Sequence, residues 1–548
     1  MSSLDRTPQN LRERTTNHYD AILIGSGMGA LTVASLLTQL RNKRVLVLER
    51  HFKAGGFTHA FKRRSFHWDV GLHYVGQMGE TTPLRKLFNL ITRHGVQWNK
   101  MPEPFEKFVY PGFQFDLYGD DSLSKDKTRF QADLIARFPD EKDAIQRYFR
   151  DISKASQALW WHVMRRNGSL PFKLLGWWNK LWNPISLKLT TREYLDRQFK
   201  NPDLKTLLVS QWGDYGVPPS QSPFAIHATI VRHYLEGGYY PVGGAGKIAE
   251  SVVSIVKERG GEILLDREVT EILIENDRAV GVRVRNLKNN SIENYYASIV
   301  ISNAGAATTY LKLIPETYPI TFREALRQFL KQHPPATNIT LYLGLSGDPR
   351  QLGFQGENHW IYEDTNHDEI YTRRREWIET GNPPQAYLSF PSLKDPNATA
   401  HTAEIITRVD YDSFAKWREQ PWLNRDEAYR ELKDRMSQQL IDLIDRHYPG
   451  FADLVTYHEL STPLTNEHFT SHIGGGIYGL PAVTERFEPQ NAKWTNPETP
   501  VKGLYLTGVD IFMGGITPAA MAGVITLSRI PEGISIPETF AKAFRLGK

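Results

Sequence analysis

Glycines, a small residue and a carboxylate near the start of the chain are spaced to bind a nucleotide. The run Gly-Ser-Gly-Met-Gly-Ala at 25–30 follows a short apolar stretch and precedes a helical pattern. Gly25 permits a tight turn, Gly27 lets the backbone approach a pyrophosphate, and Ala30 lets helix and strand pack closely. The phosphates would lie at the helix N-terminus, where unpaired N–H groups favour negative charge. Glu49 follows Gly25 by 24 residues, close to the roughly 20 expected for a carboxylate that binds an adenosine ribose.

A second group of candidate residues lies near the end of the chain. An apolar run at 504–509 ends in Asp510, and Gly-Gly-Ile-Thr-Pro at 514–518 opens a helical pattern. Asp510 can accept hydrogen bonds from ribityl hydroxyls, and a helix N-terminus at Thr517 and Pro518 can stabilise negative charge on a reduced flavin ring. The alternative is a buried strand and a capped helix without a ligand. Because the chain contains only one full fingerprint, we expect FAD and no separate NAD domain.

The elements that must position these residues come from three distant parts of the chain. Buried-strand patterns occur at 21–24, 44–48, 298–302 and 503–509, each next to a glycine turn or a helix. The fold class predicted is α/β, a Rossmann-type FAD-binding domain with an inserted α+β substrate domain. The predicted segments are a disordered leader at 1–17, an FAD-binding domain at 18–100, 237–310 and 462–535, a substrate and membrane-associating domain at 101–236 and 311–461, and a frayed tail at 536–548.

Composition excludes several other functions. The net charge of +5 over 548 residues is small and does not indicate nucleic-acid binding. The chain has no cysteine, which excludes disulfides, thiolate metal sites, iron–sulfur clusters and cysteine nucleophiles. Histidines 51, 59, 67 and 73 are irregularly spaced and lack an HExxH pattern, so no metal site is expected. No GxSxG occurs, which disfavours a serine hydrolase.

The motifs together resemble the flavin amine oxidase and phytoene desaturase superfamily, and within it the retinol saturase group, next to the carotenoid isomerases. Met78, after the His-Tyr of 73–74, and Phe-Pro-Ser-Leu-Lys-Asp-Pro at 390–396 point to the saturase group. The loop at 512–518 is more similar to the desaturases and isomerases. The matching segments extend over nearly the whole chain: 25–29, 54–56, 68–76, 222–227, 233–234, 237–244, 302–305, 390–396, 462–466 and 504–512.

This resemblance implies an FAD-dependent oxidoreductase that reduces, and so saturates, a double bond of a lipophilic polyene such as a retinoid or carotenoid. The alternatives are a carotenoid cis–trans isomerase or desaturase with the same fold and cofactor, and a non-catalytic isoprenoid-binding protein. The resemblance also implies that Val269 presents its backbone to the adenine. With the helix-terminal residues, the expected cofactor-binding set is Gly25, Gly27, Gly29, Ala30, Glu49, Gly55, Gly56, Val269, Asp510, Thr517 and Pro518.

Saturation of a polyene bond needs a hydride on one carbon and a proton on its neighbour, so an acid must reach the substrate. His73 and Tyr74, after the glycine-rich turn, are the first candidates, and Tyr478 in a second glycine-rich turn is the next. The alternative is that these residues only pack among aromatic neighbours. The reductant is either NADPH, which would approach the flavin directly, or a separate electron-donor protein; desaturation would instead need an external acceptor.

Residues 152–192 suggest contact with a membrane surface. This segment contains five tryptophans and seven lysines or arginines but no acidic residue, a composition that suits the bilayer interface. We expect docking through 154–192 and a cytoplasmic, peripheral membrane location. The alternative is a helical hairpin whose tryptophans line an internal pocket. No apolar run approaches the 18 or more residues of a membrane-spanning helix.

Overall fold

The computed structural model describes residues 17–120, 128–167, 174–178 and 186–546. The predicted leader lies outside these residues except for Asn17. In chain order the strands are β1 Ala21–Ile24, β2 Val45–Leu48, β3 Ala60–Arg63, β4 Phe66–Asp69, β5 Trp98–Lys100, β6 Glu106–Tyr110, β7 Phe113–Leu117, β8 Tyr239–Pro241, β9 Glu262–Leu264, β10 Arg267–Glu275, β11 Arg278–Asn286, β12 Ile292–Tyr296, β13 Val300–Ser302, β14 Asn338–Leu345, β15 Asn358–Tyr362, β16 Gln385–Ser389, β17 His401–Arg408, β18 Val455–Ser461 and β19 Leu504–Leu506.

The α-helices connect and cover these strands. They are α1 Met28–Arg41, α2 Pro83–Thr92, α3 Arg129–Arg137, α4 Lys142–Asn167, α5 Thr191–Gln198, α6 Pro202–Leu208, α7 Phe224–His233, α8 Gly246–Glu258, α9 Ala306–Thr308, α10 Arg323–Gln332, α11 His367–Arg373, α12 Trp377–Thr380, α13 Pro391–Lys394, α14 Glu427–His447, α15 Phe451–Leu454, α16 Pro463–Thr470, α17 Ile516–Leu527 and α18 Ile536–Leu546.

A parallel sheet of five strands, in the order β19-β13-β1-β2-β9, forms the nucleotide-binding part. β1 and β2 are apolar throughout and every residue in them is buried, as expected for parallel strands covered by helices on both faces. Helices α8 and α17 pack against α1. The predicted α/β fold of the Rossmann type is confirmed, and its sheet joins strands from the start, middle and end of the chain.

A mixed sheet of seven strands, in the order β18-β14-β17-β16-β15-β6-β7, forms the second large layer. β6 and β7 come from residues 101–236, whereas the other strands come from 311–461. One face packs on α14 and its neighbours around Leu341, Leu388 and Ile405. The other face carries Trp360, Tyr387 and Arg408 and lines a large cavity. We propose that this sheet and its helices form the substrate domain.

The C-terminal residues differ from the prediction. The frayed tail expected after residue 535 is wrong for Ile536–Leu546, which form α18 and pack against α2. Ile536, Phe540 and Ala543 recur with helical spacing, and Ile536 and Ala543 are buried. An amphipathic helix is stabilised by the surface that it covers, and the sequence alone does not show that this segment packs on α2.

Candidate active site

A cavity of about 2380 Å³ is lined by residues of both large sheets. Pockets for drug-sized ligands measure about 300–1,000 Å³, so this cavity has room for a dinucleotide and a second molecule. The predicted residues that line it are Gly25, Gly27, Gly29, Glu49, Gly55, Gly56, Val269, Asp510, Thr517 and Pro518, together with His73, Tyr74 and Tyr478. Ala30 does not line it and is fully buried in the core.

The turn after β1 has the shape that a pyrophosphate requires. Gly25 has a φ of 84°, which favours glycine. A Cβ on Gly27 would lie 2.5 Å from Asn303 Nδ2, so a side chain there would fill the turn. Gly27 caps α1 without a side-chain hydrogen bond, and the first turn of α1 has no acidic residue. The backbone N–H groups of this turn therefore suit an anion.

Glu49, directly after β2, is 6% exposed and connects this turn to the next loop. Its Oε2 accepts hydrogen bonds from the Ser26 N–H (2.8 Å) and Ser26 Oγ (2.6 Å), and its Oε1 accepts one from the His51 N–H (2.8 Å). Burial raises the pKa of the Glu49 carboxyl, while these hydrogen bonds oppose the shift. The Gly55 N–H donates to Ser26 Oγ at 2.9 Å. Ser26 therefore links the ribose-binding candidate to the Gly55–Gly56 turn.

Asp510 joins parts of the site that are far apart in sequence. Its Oδ2 accepts a hydrogen bond from the Ala306 N–H and its Oδ1 accepts one from the Leu480 N–H, both at 2.7 Å. The side chain is 3% exposed. The sequence predicted a ribityl contact here but did not predict this structural role, because the two partners lie 204 and 30 residues away.

Gly29, Ala30, Thr517 and Pro518 hold α1 and α17 at the edge of the cavity. A Cβ on Gly29 would lie 2.6 Å from the Gly508 N atom, so glycine lets α1 touch the segment before Asp510. Ala30 packs in the helix–sheet core. Thr517 and Pro518 occupy the first turn of α17 and line the cavity. The donors, glycines and carboxylates together fit FAD.

The three predicted catalytic residues lie around the part of the cavity next to the seven-stranded sheet. His73 Nδ1 is 2.7 Å from Glu404 Oε2 on β17, and the Glu404 side chain is fully buried. The Tyr74 hydroxyl donates to Asp214 Oδ2 at 2.9 Å. The Tyr478 hydroxyl donates to the carbonyl of Gly213 at 3.2 Å, and burial raises the pKa of Tyr478 to about 12.

Lys394, in the 390–396 motif, was not predicted as a site residue. It is fully buried, and its Nζ donates to the carbonyl of His73 (2.9 Å), to Ser389 Oγ (2.6 Å) and to Asn358 Oδ1. Burial lowers the pKa of Lys394 to about 7, while Glu404 opposes the shift. The lysine therefore fixes the backbone beside His73. Its only signal in the sequence was its place in a motif of the resemblance.

Two further acids near the cavity, Asp69 and Glu106, are buried, and a third, Asp214, is partly buried. Burial raises the pKa of Asp69 and Asp214 to about 7 and that of Glu106 to about 8. Glu106 accepts hydrogen bonds from Gln211 Nε2 (2.6 Å) and Trp360 Nε1 (2.9 Å). These acids can exchange protons near neutral pH. The sequence does not show them as special, because their pKa shifts arise from tertiary burial.

The segment predicted to dock on a membrane is described only in part. The last part of α4 contributes Trp160 to the cavity lining. Residues 174–178 pack against the end of this helix, since a Cβ on Gly176 would lie 2.8 Å from Arg165 Cβ. Trp177 and Trp178 are 60% and 63% exposed. Residues 168–173 and 179–185 of the predicted segment lie outside the described residues. No described helix is both long and apolar enough to cross a bilayer.

Comparison with known proteins gives matches along nearly the whole chain. The family model of flavin containing amine oxidoreductases matches residues 31–525. An all-trans-retinol 13,14-reductase of Danio rerio is 32% identical over 95% of this chain and 88% of its own length. A protein named inactive all-trans-retinol 13,14-reductase, also from Danio rerio, is 30% identical over 94% of this chain and 86% of its own. Prolycopene isomerase 1 of an Oncidium hybrid is 26% identical over 94% and 84%.

Solved structures have the same fold. Cyclohexylamine oxidase from Brevibacterium oxydans superimposes with a TM-score of 0.54 at 14% identity, over 96% of this chain and 98% of the other. At that identity the similarity concerns the fold alone.

Proposed function

We propose a reaction for this chain, which belongs to the flavin containing amine oxidoreductase family and is an FAD-dependent oxidoreductase. The reaction that we propose is the reduction of one double bond of a lipophilic polyene, with a retinoid as the first choice and a carotenoid as the second. The observation that carries the proposal is the similarity to all-trans-retinol 13,14-reductase over 95% of the chain. That similarity includes both the cofactor segments and the sheet beyond them.

Bound FAD supplies hydride transfer at its ring, and the chain supplies binding, orientation and the proton. The turn at 25–29 and the N-terminus of α1 bind the phosphates, and Glu49 and Asp510 bind the sugar hydroxyls. His73 holds a proton that it can deliver to the carbon next to the reduced position. Glu404 Oε2 lies 2.7 Å from His73 Nδ1, so Nε2 is the ring nitrogen that is left to exchange a proton with a molecule in the cavity.

Tyr74 and Tyr478 are further candidates for the proton donor. Tyr74 donates to Asp214, whose pKa is raised to about 7 by burial, so this pair can replace a lost proton near neutral pH. Tyr478 has only a backbone carbonyl as its described hydrogen-bond acceptor. The geometry therefore favours His73 and the Tyr74–Asp214 pair over Tyr478.

Two alternatives have support of their own. The prolycopene isomerase relative supports cis–trans isomerisation on the same fold, and desaturation uses the same cofactor in the opposite direction. The relative named as an inactive reductase shows that proteins similar to this chain include one without that activity, so an isoprenoid-binding protein without turnover is the third candidate. The intact set of Gly25, Gly27, Glu49 and Asp510 argues against that last function, since a pure binder does not need it.

The test is anaerobic incubation of the chemically reduced holoenzyme with a panel of retinoids and carotenoids, followed by mass spectrometry of the products. Reduction raises the product mass by two hydrogens, isomerisation leaves it unchanged, and desaturation by oxidised enzyme lowers it by two hydrogens. A protein that is colourless after gentle purification and takes up no FAD would contradict an enzymatic function.

The number of dinucleotide-binding motifs limits how an electron donor can reach the flavin. The chain has one dinucleotide fingerprint, so we propose that the reductant, NADPH or a donor protein, reaches the flavin without a second dinucleotide-binding domain. Mixing oxidised holoenzyme with NADPH under anaerobic conditions tests this directly. Bleaching of the flavin absorbance identifies NADPH as a direct reductant, and an unchanged spectrum rules it out.

We also propose that residues 154–192 dock on an anionic membrane surface. The exposed side chains of Leu174, Leu175, Trp177 and Trp178 suit the interfacial region of a bilayer. Their position next to the end of α4, which also lines the cavity through Trp160, would let a lipophilic substrate pass from the bilayer into the site.

A further inference from the structure

We propose that Gln385, Tyr387 and Arg408 form a subsite that binds the hydroxyl end group of the polyene. This inference rests on the proposed function for the polyene itself, and it adds which end of the molecule is recognised and by which side chains. All three residues line the cavity and lie on two adjacent strands of the seven-stranded sheet.

The strand register brings these side chains to one face. β16 and β17 are antiparallel with Tyr387 opposite Ile406, so the same register places Gln385 opposite Arg408. Residues two apart on a strand point to the same face, so Gln385, Tyr387 and Arg408 share a face of the sheet. Their exposed fractions are 7%, 6% and 7%. The cluster is therefore buried and directed at the cavity.

Each of the three residues has a buried polar atom that the described part of the chain leaves without a hydrogen-bond partner: Arg408 Nη1, Gln385 Oε1 and the Tyr387 hydroxyl. A buried polar group without a partner costs about 1–3 kcal/mol. Three such atoms on one cavity wall indicate that a bound polar group satisfies them.

Other contacts hold Arg408 in place for this role. Its Nη2 donates to the carbonyl of Gly213. Its guanidinium carbon lies 5.6 Å from the centre of the Tyr478 ring and 5.9 Å from that of Trp212. The second guanidinium nitrogen, Nη1, is thus a fixed donor rather than a mobile one.

The set of atoms matches a hydroxyl better than other end groups. A hydroxyl both donates and accepts, so it can accept from Arg408 Nη1 and donate to Gln385 Oε1. An ionised carboxylate only accepts and would face the Gln385 oxygen. A hydrocarbon end leaves all three atoms unpaired. The aromatic rings of Trp360, 4.6 Å from Tyr387, and Tyr74, 6.5 Å from it, can pack against the adjoining polyene.

The experiment measures dissociation constants of the holoenzyme for three probes: all-trans-retinol, retinoic acid and the hydrocarbon analogue of retinol that lacks the hydroxyl. The variants are Tyr387→Phe, Arg408→Met and Arg408→Lys. Tyr457→Phe on β18, outside the cavity lining, is the matched control. Bound flavin and far-UV circular dichroism verify that each variant folds.

We expect wild type to bind retinol at least about tenfold more tightly than the hydrocarbon. Tyr387→Phe and Arg408→Met should weaken the binding of retinol but not of the hydrocarbon, so that the two probes bind about equally. Tyr457→Phe should leave it unchanged. If Arg408→Met does not fold, the isosteric Tyr387→Phe and the charge-retaining Arg408→Lys still provide the test.

Three results would overturn the subsite. They are equal affinity of wild type for retinol and the hydrocarbon, higher affinity for retinoic acid than for retinol, and an equal loss of affinity for retinol and the hydrocarbon in Tyr387→Phe. Failure of the proposed function has a different signature. In that case wild type binds retinol in preference to the hydrocarbon, but the reduced enzyme changes the mass of neither.

Discussion

At the scale of single residues, the site depends on buried groups that can hold a proton. His73 lines the cavity and is supported from behind by the fully buried Glu404, 2.7 Å from its Nδ1. Lys394 fixes the backbone carbonyl of His73 at 2.9 Å. Because a carboxylate beside Nδ1 leaves Nε2 as the ring nitrogen free to meet a molecule in the cavity, we propose that His73 transfers a proton rather than only packs.

We predict that His73→Ala retains FAD but loses turnover. General acid catalysis typically contributes about 10²–10⁴-fold, so the rate of product formation should fall by that range. The measurement is single-turnover product formation under anaerobic conditions, with flavin content determined by absorbance. His458→Ala, at an exposed position on β18, is the control. Unchanged turnover with bound FAD would remove His73 from the mechanism.

Asp214 gives a prediction about pH. Burial raises its pKa from the ordinary 3.8 to about 7 in the folded protein. A raised carboxyl pKa contributes stability that is fully present below pH 3.8 and is lost as the pH rises through about 7. Asp214→Asn stays neutral, so its free energy of unfolding should rise relative to wild type between pH 4 and 8, on the order of a few kcal/mol.

Denaturant unfolding of wild type and variant at a series of pH values measures this difference. Asp140→Asn, at an exposed position, should give a difference that does not change with pH. A constant difference for Asp214→Asn as well would show that the Asp214 carboxyl ionises with an ordinary pKa in the folded protein.

At the scale of elements, the cofactor site depends on how closely α1 approaches the segment that leads to Asp510. Gly29 in α1 faces the Gly508 backbone, and Gly523 in α17 faces Thr32 of α1, where an added Cβ would lie 2.7 Å from the Thr32 Cβ. Small residues at both contacts let two helices and a strand end converge. The position of Asp510 is therefore set by helix packing as well as by its own hydrogen bonds.

We predict that Gly29→Ala separates α1 from the Gly508 segment. The added Cβ would lie 2.6 Å from the Gly508 N atom, and overpacking of this kind costs about 1–3 kcal/mol. Thermal unfolding should show lower stability, and the purified protein should contain less flavin. Gly246→Ala at the start of α8, where the nearest atom is 3.6 Å from the new Cβ, should change neither quantity. Normal flavin content in Gly29→Ala would mean that the contact does not position Asp510.

At the scale of the whole molecule, three distant segments build one parallel sheet, and a second sheet faces it across a shared cavity. The sheet takes β1 and β2 from the start of the chain, β9 and β13 from its middle, and β19 from near its end. The cavity of about 2380 Å³ is lined by residues of both sheets, so a cofactor and a second molecule can lie next to each other in it. The exposed apolar side chains at 174–178 lie next to the helix that lines this cavity.

We predict that Trp177→Gln with Trp178→Gln abolishes binding to anionic vesicles. Both rings are more than half exposed and would lose their favourable place at the interface. Flotation with vesicles containing phosphatidylserine measures the effect. Ile292→Gln, which removes an apolar side chain that is 59% exposed on β12, should float like wild type. Wild-type protein that stays in the soluble fraction whatever the lipid charge would rule out docking through this segment.

The sequence by itself determined the glycine turn after β1, the parallel strands and the family. Gly25, Gly27 and Glu49 form a local pattern whose spacing follows from one strand–turn–helix unit, so it can be recognised without a structure. The strand prediction for 21–24 matches β1 residue for residue, because its apolar run is continuous.

Only the tertiary structure decided which side chains are buried together. Glu404, Lys394 and Asp214 are ordinary charged residues in the sequence, and they come from β17, from α13 and from the turn after α6. Their perturbed environment comes from burial against elements that lie far away in the chain. The same reason explains Arg408, Gln385 and Tyr387, whose alignment depends on the register of two strands. Sequence spacing records local contacts, whereas desolvation and cross-strand register exist only after the chain has folded.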